Sequence, residues 1–285
     1  MKYIQQNYQI KAKHVRESLT FVCLSDLHIR ESTSKRRLEG LLPKIRKIKQ
    51  VEAIFITGDL MDSAEQALRP AVAKRAVIFL TNLAKIAPVF LVYGNHDVQD
   101  FLPKHSSCRN YRIPTTFRRQ VVKIPGVTVL SNSISQTKKF FVAGLELDDK
   151  YYDIRPERHH IVENRILLES QLKSFCKQNC QKLPDLPRIF LIHSPVHGDV
   201  LKSELKDFDL ILAGHMHNGC LPRPFLKLPG TRGFIAPSKD LFPKYARGRD
   251  GKLVTLSSVT TLPKTLHLFN RVFPSYFTIV RMQSC

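Results

Sequence analysis

Asp26 and His28 follow directly on the apolar run Phe21-Val22-Cys23-Leu24. In an extended segment residues i and i+2 point to the same side, so this acid and this imidazole can reach one common point. The arrangement recurs along the chain. The run 53–57 (AIFIT) leads into Gly58-Asp59-Leu60-Met61-Asp62, and 88–93 (PVFLVY) leads into Gly94-Asn95-His96-Asp97. The run 188–192 (RIFLI) is followed by His193 and then His197, and 209–213 (DLILA) by Gly214-His215-Met216-His217. Any one of these blocks is weak: a lone GDxxD is a common turn, and a lone histidine near a strand is more often a hydrogen-bonded structural residue. Five successive strand ends delivering Asp, His and Asn point to metal ligation.

The elements that must position these side chains are readable from the same runs. Short apolar segments at 20–24, 53–57, 88–93, 140–145, 188–192 and 209–213 predict strands. Between them, 35–49, 65–86 and 163–180 carry helical spacing, and Pro43 predicts a kink or a late start in the first. Strands alternating with helices predict an α/β fold with substantial parallel sheet. In open α/β sheets sites form at the carboxyl ends of the strands, where every one of the five blocks falls. The glycines permit tight turns and close backbone approach there. After about residue 220 Pro, Gly and short β-like runs (253–259, 275–281) predict an antiparallel or irregular section, with no composition break that marks a second domain. The expectation is one domain over 1–285.

In this order and spacing the five blocks resemble the calcineurin-like metallophosphoesterases, whose signature is D-x-H, G-D-x-x-D, G-N-H-D/E, a lone His and G-H-x-H. The resemblance implies a four-layer α-β-β-α sandwich of two mixed sheets with flanking helices. It also implies two divalent cations: Asp26, His28 and His217 on the first, Asn95, His193 and His215 on the second, and Asp59 bridging both. It places His96 near the leaving-group oxygen, to donate a proton or stabilise charge, with Asp97 orienting it and Asp62 supporting the ligands; the alternative for both acids is turn capping. His197 is left off the ligand list. An all nitrogen and oxygen ligand set favours manganese, iron or zinc over copper(I) or an iron–sulfur cluster, with manganese the first expectation. A bound metal lowers the pKa of water from 15.7 to about 7, which makes a nucleophile at neutral pH. The tail is similar to that of a bacterial subgroup of membrane-associated phosphoesterases and a UDP-diacylglucosamine diphosphatase, in "APSKDLFPKYARG" (236–248) and "LFN" (268–270). It departs from that subgroup at Asn218-Gly219-Cys220 and "LFNRVFPS".

Composition narrows the partners. The 285 residues carry 45 Lys and Arg against 24 Asp and Glu, a formal charge of +21, which suggests an anionic partner such as a membrane surface, a phosphorylated substrate or nucleic acid. No apolar run approaches the roughly 18–20 residues that span a bilayer, and MKYIQQNYQIKAKH lacks the apolar centre of a secretory signal. A cytoplasmic protein, peripheral on the inner membrane face, is the resulting expectation. Six scattered cysteines without a CxxC pair are too sparse for a disulfide scaffold. Basic and apolar residues mix at 223–234, 240–249 and Arg118-Arg119, and 35–49 could add a second basic face. Exposed together, the 223–249 side chains would form a greasy, cationic lip; the alternative is aromatics in the core and charges outside.

The leading reading is a dinuclear metal hydrolase of a phosphodiester or diphosphate bond, on a lipid-linked or nucleotide-linked substrate. A nuclease or cyclic-nucleotide phosphodiesterase is the enzymatic alternative, although no nucleic-acid-binding motif is visible. A non-catalytic scaffold of the same fold is the third reading, disfavoured because the full ligand set and the GNHD histidine are present.

Overall fold

A computed structural model describes residues 3–33, 35–98, 115–152, 159–221, 230–236, 241–259 and 275–285. Its strands form two six-stranded sheets. The first contains β1 (Tyr3–Lys11), β12 (Ser275–Gln283), β2 (Leu19–Leu24), β3 (Val51–Thr57), β4 (Val89–Val92) and β5 (Val127–Val129), in that spatial order. The second runs β10 (Gly248–Asp250), β11 (Leu253–Thr255), β9 (Leu210–Ala213), β8 (Arg188–Ile192), β7 (Phe141–Leu145) and β6 (Ser133–Gln136). Both sheets are mixed: β12 is antiparallel to β2, and β10 and β6 are antiparallel to their neighbours, while the other pairs are parallel.

Why the central strands read as unbroken apolar runs follows from what lies on each side of them. Alternate residues serve opposite faces. In β2, Phe21 and Cys23 enter the core between the sheets, and Val22 and Leu24 enter the outer core under the helices. In β8, Ile189 and Leu191 face the other sheet, while Phe190 and Ile192 face outward. Phe21, Phe55, Phe90 and Phe140 form the aromatic centre of the inter-sheet core, with Phe21 and Phe55 centroids 5.0 Å apart.

Helices close the two outer faces. On the first sheet lie α1 (Lys35–Glu39), α2 (Leu42–Arg46), α3 (Ala64–Leu68), α4 (Pro70–Ala84) and α6 (Thr115–Val122), and the one-turn α5 (Asn95–Val98) follows β4. On the second lie α7 (His159–Asn179) and α8 (Gly198–Glu204). The expected four-layer sandwich is present.

Several boundaries differ from the periodicity. The helix expected over 35–49 is two short ones, with Pro43 in the first turn of α2. The helix expected over 65–86 breaks before Pro70, which opens α4 and whose ring would clash inside a continuous helix. Strand β1 has no counterpart in the sequence reading, because Tyr3-Ile4-Gln5-Gln6-Asn7-Tyr8 is too polar to register as an apolar run. It is an edge strand with one wet face, paired residue for residue with β12. The chain's last strand thus returns from the second sheet to the first and joins β1 to β2.

Candidate metal centre

The five motif blocks meet at the carboxyl ends of β2, β3, β4, β8 and β9. The backbone leaves each strand sharply. Asp26, His28, Asp59, His215 and His217 all have positive φ, between 43° and 68°. Side chains with a Cβ rarely adopt this conformation, and clusters of it mark functional sites. Here the turns are held by cross-links between blocks: the Asp26 N–H donates to the Gly58 carbonyl (3.1 Å) and the His28 N–H to the Asp59 carbonyl (2.9 Å).

The side chains form three overlapping groups: Asp26, His28 and His217; His28, Asp59 and His96; Asp59, His193 and His215. His28 Nε2 and His217 Nε2 lie 3.3 Å apart, and His217 Nε2 lies 3.6 Å from Asp26 Oδ1. Asp59 Oδ2 lies 3.7 Å from His28 Nε2 and 3.3 Å from His193 Nε2, so one carboxylate sits between both histidine sets. Asn95 Oδ1 is 3.0 Å from His193 Nε2. All seven residues expected as ligands are therefore brought to one place.

These residues fit two dications. Asp59 Oδ2 is buried with no hydrogen-bond partner among the described residues. A buried carboxylate oxygen left so is costly unless a cation meets it. His193 Nδ1 faces the Thr57 carbonyl at 2.6 Å. A carbonyl only accepts, so Nδ1 carries the hydrogen and Nε2 is turned to the cluster, the usual backing of a metal-bound histidine. Asp59, Asn95 and Asp26 supply oxygen and the four histidines nitrogen, a donor set suited to manganese, iron or zinc.

Electrostatics agrees with a site that wants positive charge. Burial alone would raise the Asp59 carboxyl, but His193, His96 and His28 hold it well below the usual carboxylate range. Burial would lower His193; Asp59 outweighs it and raises the imidazole to about 9. A proton on His193 thus supplies positive charge that a cation would supply in its place. Burial lowers His28 and His215 well below the usual imidazole value, and neighbouring histidines lower them further, which keeps both as neutral ligands.

His96 lies beside this cluster, its ring 4.6 Å from that of His28. Of the two roles expected for Asp97, orienting His96 or capping a turn, its contacts match the second: it is fully buried and its two oxygens accept N–H bonds from Leu60 (3.1 Å), Met61 (2.8 Å) and Gly94 (2.9 Å), tying two motif loops together. Burial, then the Asp59 charge, raises its carboxyl to about 7 against those three donors. His96 is fixed from the other side: its N–H donates to Asp59 Oδ1 (2.9 Å) and its Nδ1 to the Asp62 carbonyl (2.8 Å). The Asp62 carboxylate lies 3.7 Å from His28 Nδ1 and 3.4 Å from the Arg30 guanidinium. His197 caps α8 at a φ of 60°, its ring 6.4 Å from that of Tyr151.

Sequence reasoning missed three contributors. Tyr152 lays its ring 5.4 Å from His215 and 6.0 Å from His193. Ser258, 232 residues from Asp26, donates to its carbonyl. Arg30 buttresses Asp62. None has a motif, and only the folded chain brings them near.

Two glycines show why the blocks are spelled as they are. A Cβ on Gly94 would stand 2.3 Å from Asp59 Oδ1, and one on Gly58 would stand 2.4 Å from His193 Nδ1. The loops pack so closely on the ligands that no side chain fits.

Buried histidines and carboxylates gathered at strand ends, with donor atoms suited to two divalent cations, make up the ligand set of a dinuclear metal centre. The chain belongs to the calcineurin-like phosphoesterase family, whose model matches residues 19–219. Members use a dinuclear divalent metal centre. A bovine (Bos taurus) transmembrane protein with metallophosphoesterase domain is 25% identical over 203 residues, 71% of this chain and 41% of that one. Phosphodiesterase YaeI of Escherichia coli is 30% identical over 162 residues, 56% of this chain and 46% of that one. This chain thus spans less than half the length of either. A purple acid phosphatase from yellow lupin (Lupinus luteus) superposes with a TM-score of 0.40 at 14% identity, covering 73% of this chain and 39% of that one.

Proposed function

We propose that this hydrolase cleaves a phosphodiester or diphosphate bond in a lipid-linked or nucleotide-linked substrate of the UDP-2,3-diacylglucosamine type, at an anionic membrane surface on the cytoplasmic side. Asp26, His28 and His217 would hold one cation and Asn95, His193 and His215 the other, with Asp59 shared between them. Manganese is the first choice, with iron or zinc as alternatives. When bound, the pair would supply an activated water at neutral pH and offset charge on the phosphoryl oxygens. His96, held through Nδ1 by the Asp62 carbonyl, presents Nε2 for proton donation to the leaving oxygen. Asp97 positions Gly94 and Leu60, and through them the loops that carry Asn95 and Asp59. Tyr152 walls the second cation's histidines.

The observation that carries the membrane reading is a hairpin-like contact between 233–236 and 241–243. Phe234, Ile235, Leu241 and Phe242 are exposed there, Leu241 by 70% and Phe242 by 58%. Arg232 and Lys244 are exposed at its base, and the Arg232 guanidinium is bonded to the Phe242 carbonyl at 3.0 Å. The Phe234 and Ile235 N–H groups both donate to the Gly219 carbonyl, in the turn that follows His217. The apolar edge is therefore attached next to a cation ligand. Tyr245, expected in the same lip, packs instead against the outer core of the second sheet. Arg223, Phe225, Leu226, Lys227 and the segments 237–240 and 268–270 lie outside the described residues. Among the described residues no helix is long and apolar enough to cross a membrane. Burying Leu241 and Phe242 contributes roughly 2–4 kcal/mol, and each basic residue about 1 kcal/mol more.

The test is manganese-loaded protein with an aryl phosphodiester, with a lipid-linked diphosphate in vesicles, and in flotation with anionic vesicles. L241E/F242E is expected to keep soluble-substrate hydrolysis while losing flotation and vesicle hydrolysis at least tenfold, about 1.4 kcal/mol or more. Undiminished flotation and vesicle hydrolysis in that variant would remove the membrane reading. Full activity of both Asp59→Ala and His96→Ala would remove the catalytic one.

A further inference from the structure

We propose a second anion site at the opposite end of the first sheet, built for a ligand that carries two or more clustered phosphate groups. The basic run after Pro43 is not used by the metal centre. It lines a cavity of about 690 Å³ on the helix-covered side of β1, β12 and β2. That volume lies within the usual range of small-molecule sites, ~300–1,000 Å³.

Four cations line the cavity: Lys44 from α2, Lys47 and Lys49 from the turn into β3, and Arg281 from β12. Among the described residues no Asp or Glu lines it and none of the four makes an ion pair. The contrast is informative, because other basic side chains of this molecule are paired: Arg69 with Glu31 and Glu65, Arg118 with Glu146, Lys139 with Glu17 and Glu52, Arg165 with Asp199. Buried Phe277 and Ile279 form the floor. Four like charges around one concavity repel until an anion enters. A single phosphate reaches only part of such a set; a polyphosphate, or several phosphates on a compact body, can meet it with charge-assisted bonds while the body rests on the floor.

The site is separate from the metal centre. Arg281 pairs with Thr20, at the amino end of β2. Asp26 lies six residues further along the same strand and its exit, about 20 Å away at strand spacing. The exposed hairpin that follows the His217 turn also belongs to the metal end of the strands, so the cavity lies apart from both features assigned to the substrate. The inference stands on the cavity alone and does not depend on the membrane reading.

The experiment is lysine acylation footprinting of the metal-loaded full chain by mass spectrometry. The probes are inorganic tripolyphosphate, and phosphatidylcholine vesicles with or without a polyphosphorylated inositol lipid. Footprinting reads each lysine by itself, so phosphate bound at the metals does not interfere. Acylation of Lys44, Lys47 and Lys49 should slow at least fivefold, with exposed Lys74, Lys177, Lys182 and Lys206 unchanged. Protection by tripolyphosphate identifies a soluble ligand; protection by the phosphorylated vesicles alone identifies a headgroup. Arg281→Glu should abolish the protection. Exposed Lys47→Glu, read at Lys44 and Lys49, serves if the strand variant fails to fold. Equal slowing of all lysines, slowing of none, or protection that survives both variants would overturn the site.

Discussion

The two ends of the first sheet are chemical opposites. At the carboxyl end, histidines and carboxylates are buried, crowded to within 3.3 Å and held at positive φ. At the amino end, lysines and an arginine line an open cavity in relaxed helix and strand. The first arrangement is costly to assemble, since charges must leave water and the backbone must adopt rare conformations. It persists because five strands and the inter-sheet core hold it from below. The second costs little, because exposed cations keep their water and only mutual repulsion opposes it. Small errors should therefore damage the first end severely and leave the second tolerant.

The largest expected effect is at the bridge. Asp59→Ala should lower phosphodiester hydrolysis by about 10³-fold or more and reduce bound metal measured by elemental analysis, since one carboxylate serves both cations. His96→Gln should lower kcat by about 10²–10³-fold with metal content retained, which separates proton donation from ligation. Gly94→Ala introduces a Cβ where Asp59 Oδ1 stands, and a displaced ligand set should cost about 10²-fold in activity although no catalytic atom is removed. Activity within twofold of the parent protein in this last variant would show that the loops yield more than their packing implies.

Acid–base behaviour sharpens the contrast further. In metal-free protein the His193 pKa is raised to about 9 from an ordinary 6.5, with Asp59 as its partner. A raised pKa contributes stability that is complete below 6.5 and lost as pH rises through 9. The Tm of metal-free protein should therefore fall between pH 6.5 and 9, whereas metal-loaded protein should not show that fall, because coordination takes the neutral imidazole. A parallel decline with and without metal would break the assignment. The smallest effect is expected at the far end: Lys47→Glu should leave hydrolysis of a soluble phosphodiester within twofold, since it precedes the amino end of β3, opposite the metal centre.

Much of this was legible in the chain. The β2, β3, β4, β8 and β9 runs are visible because strands covered on both faces must be apolar throughout, and the ligands are visible because each stands directly after such a run. Strand β1 was not, since an edge strand with a wet face carries only a weak alternation. The breaks at Pro43 and Pro70 were half legible: the proline is plain, but whether the helix kinks or restarts depends on the sheet beneath it.

The role of Asp97 was legible only as a choice between orienting His96 and capping a turn. Its neighbour in sequence is His96, yet its oxygens serve the backbone of Leu60, Met61 and Gly94, because the loop after β4 folds back over the loop after β3. Sequence order alone determined the ligand types, their strand-end placement and the excess of basic residues, since these are properties of single segments. Which cations lack an acid, which hydrophobic residues stay outside, and which histidine nitrogen faces the metals were decided by tertiary structure, because each depends on groups tens to hundreds of residues apart along the chain.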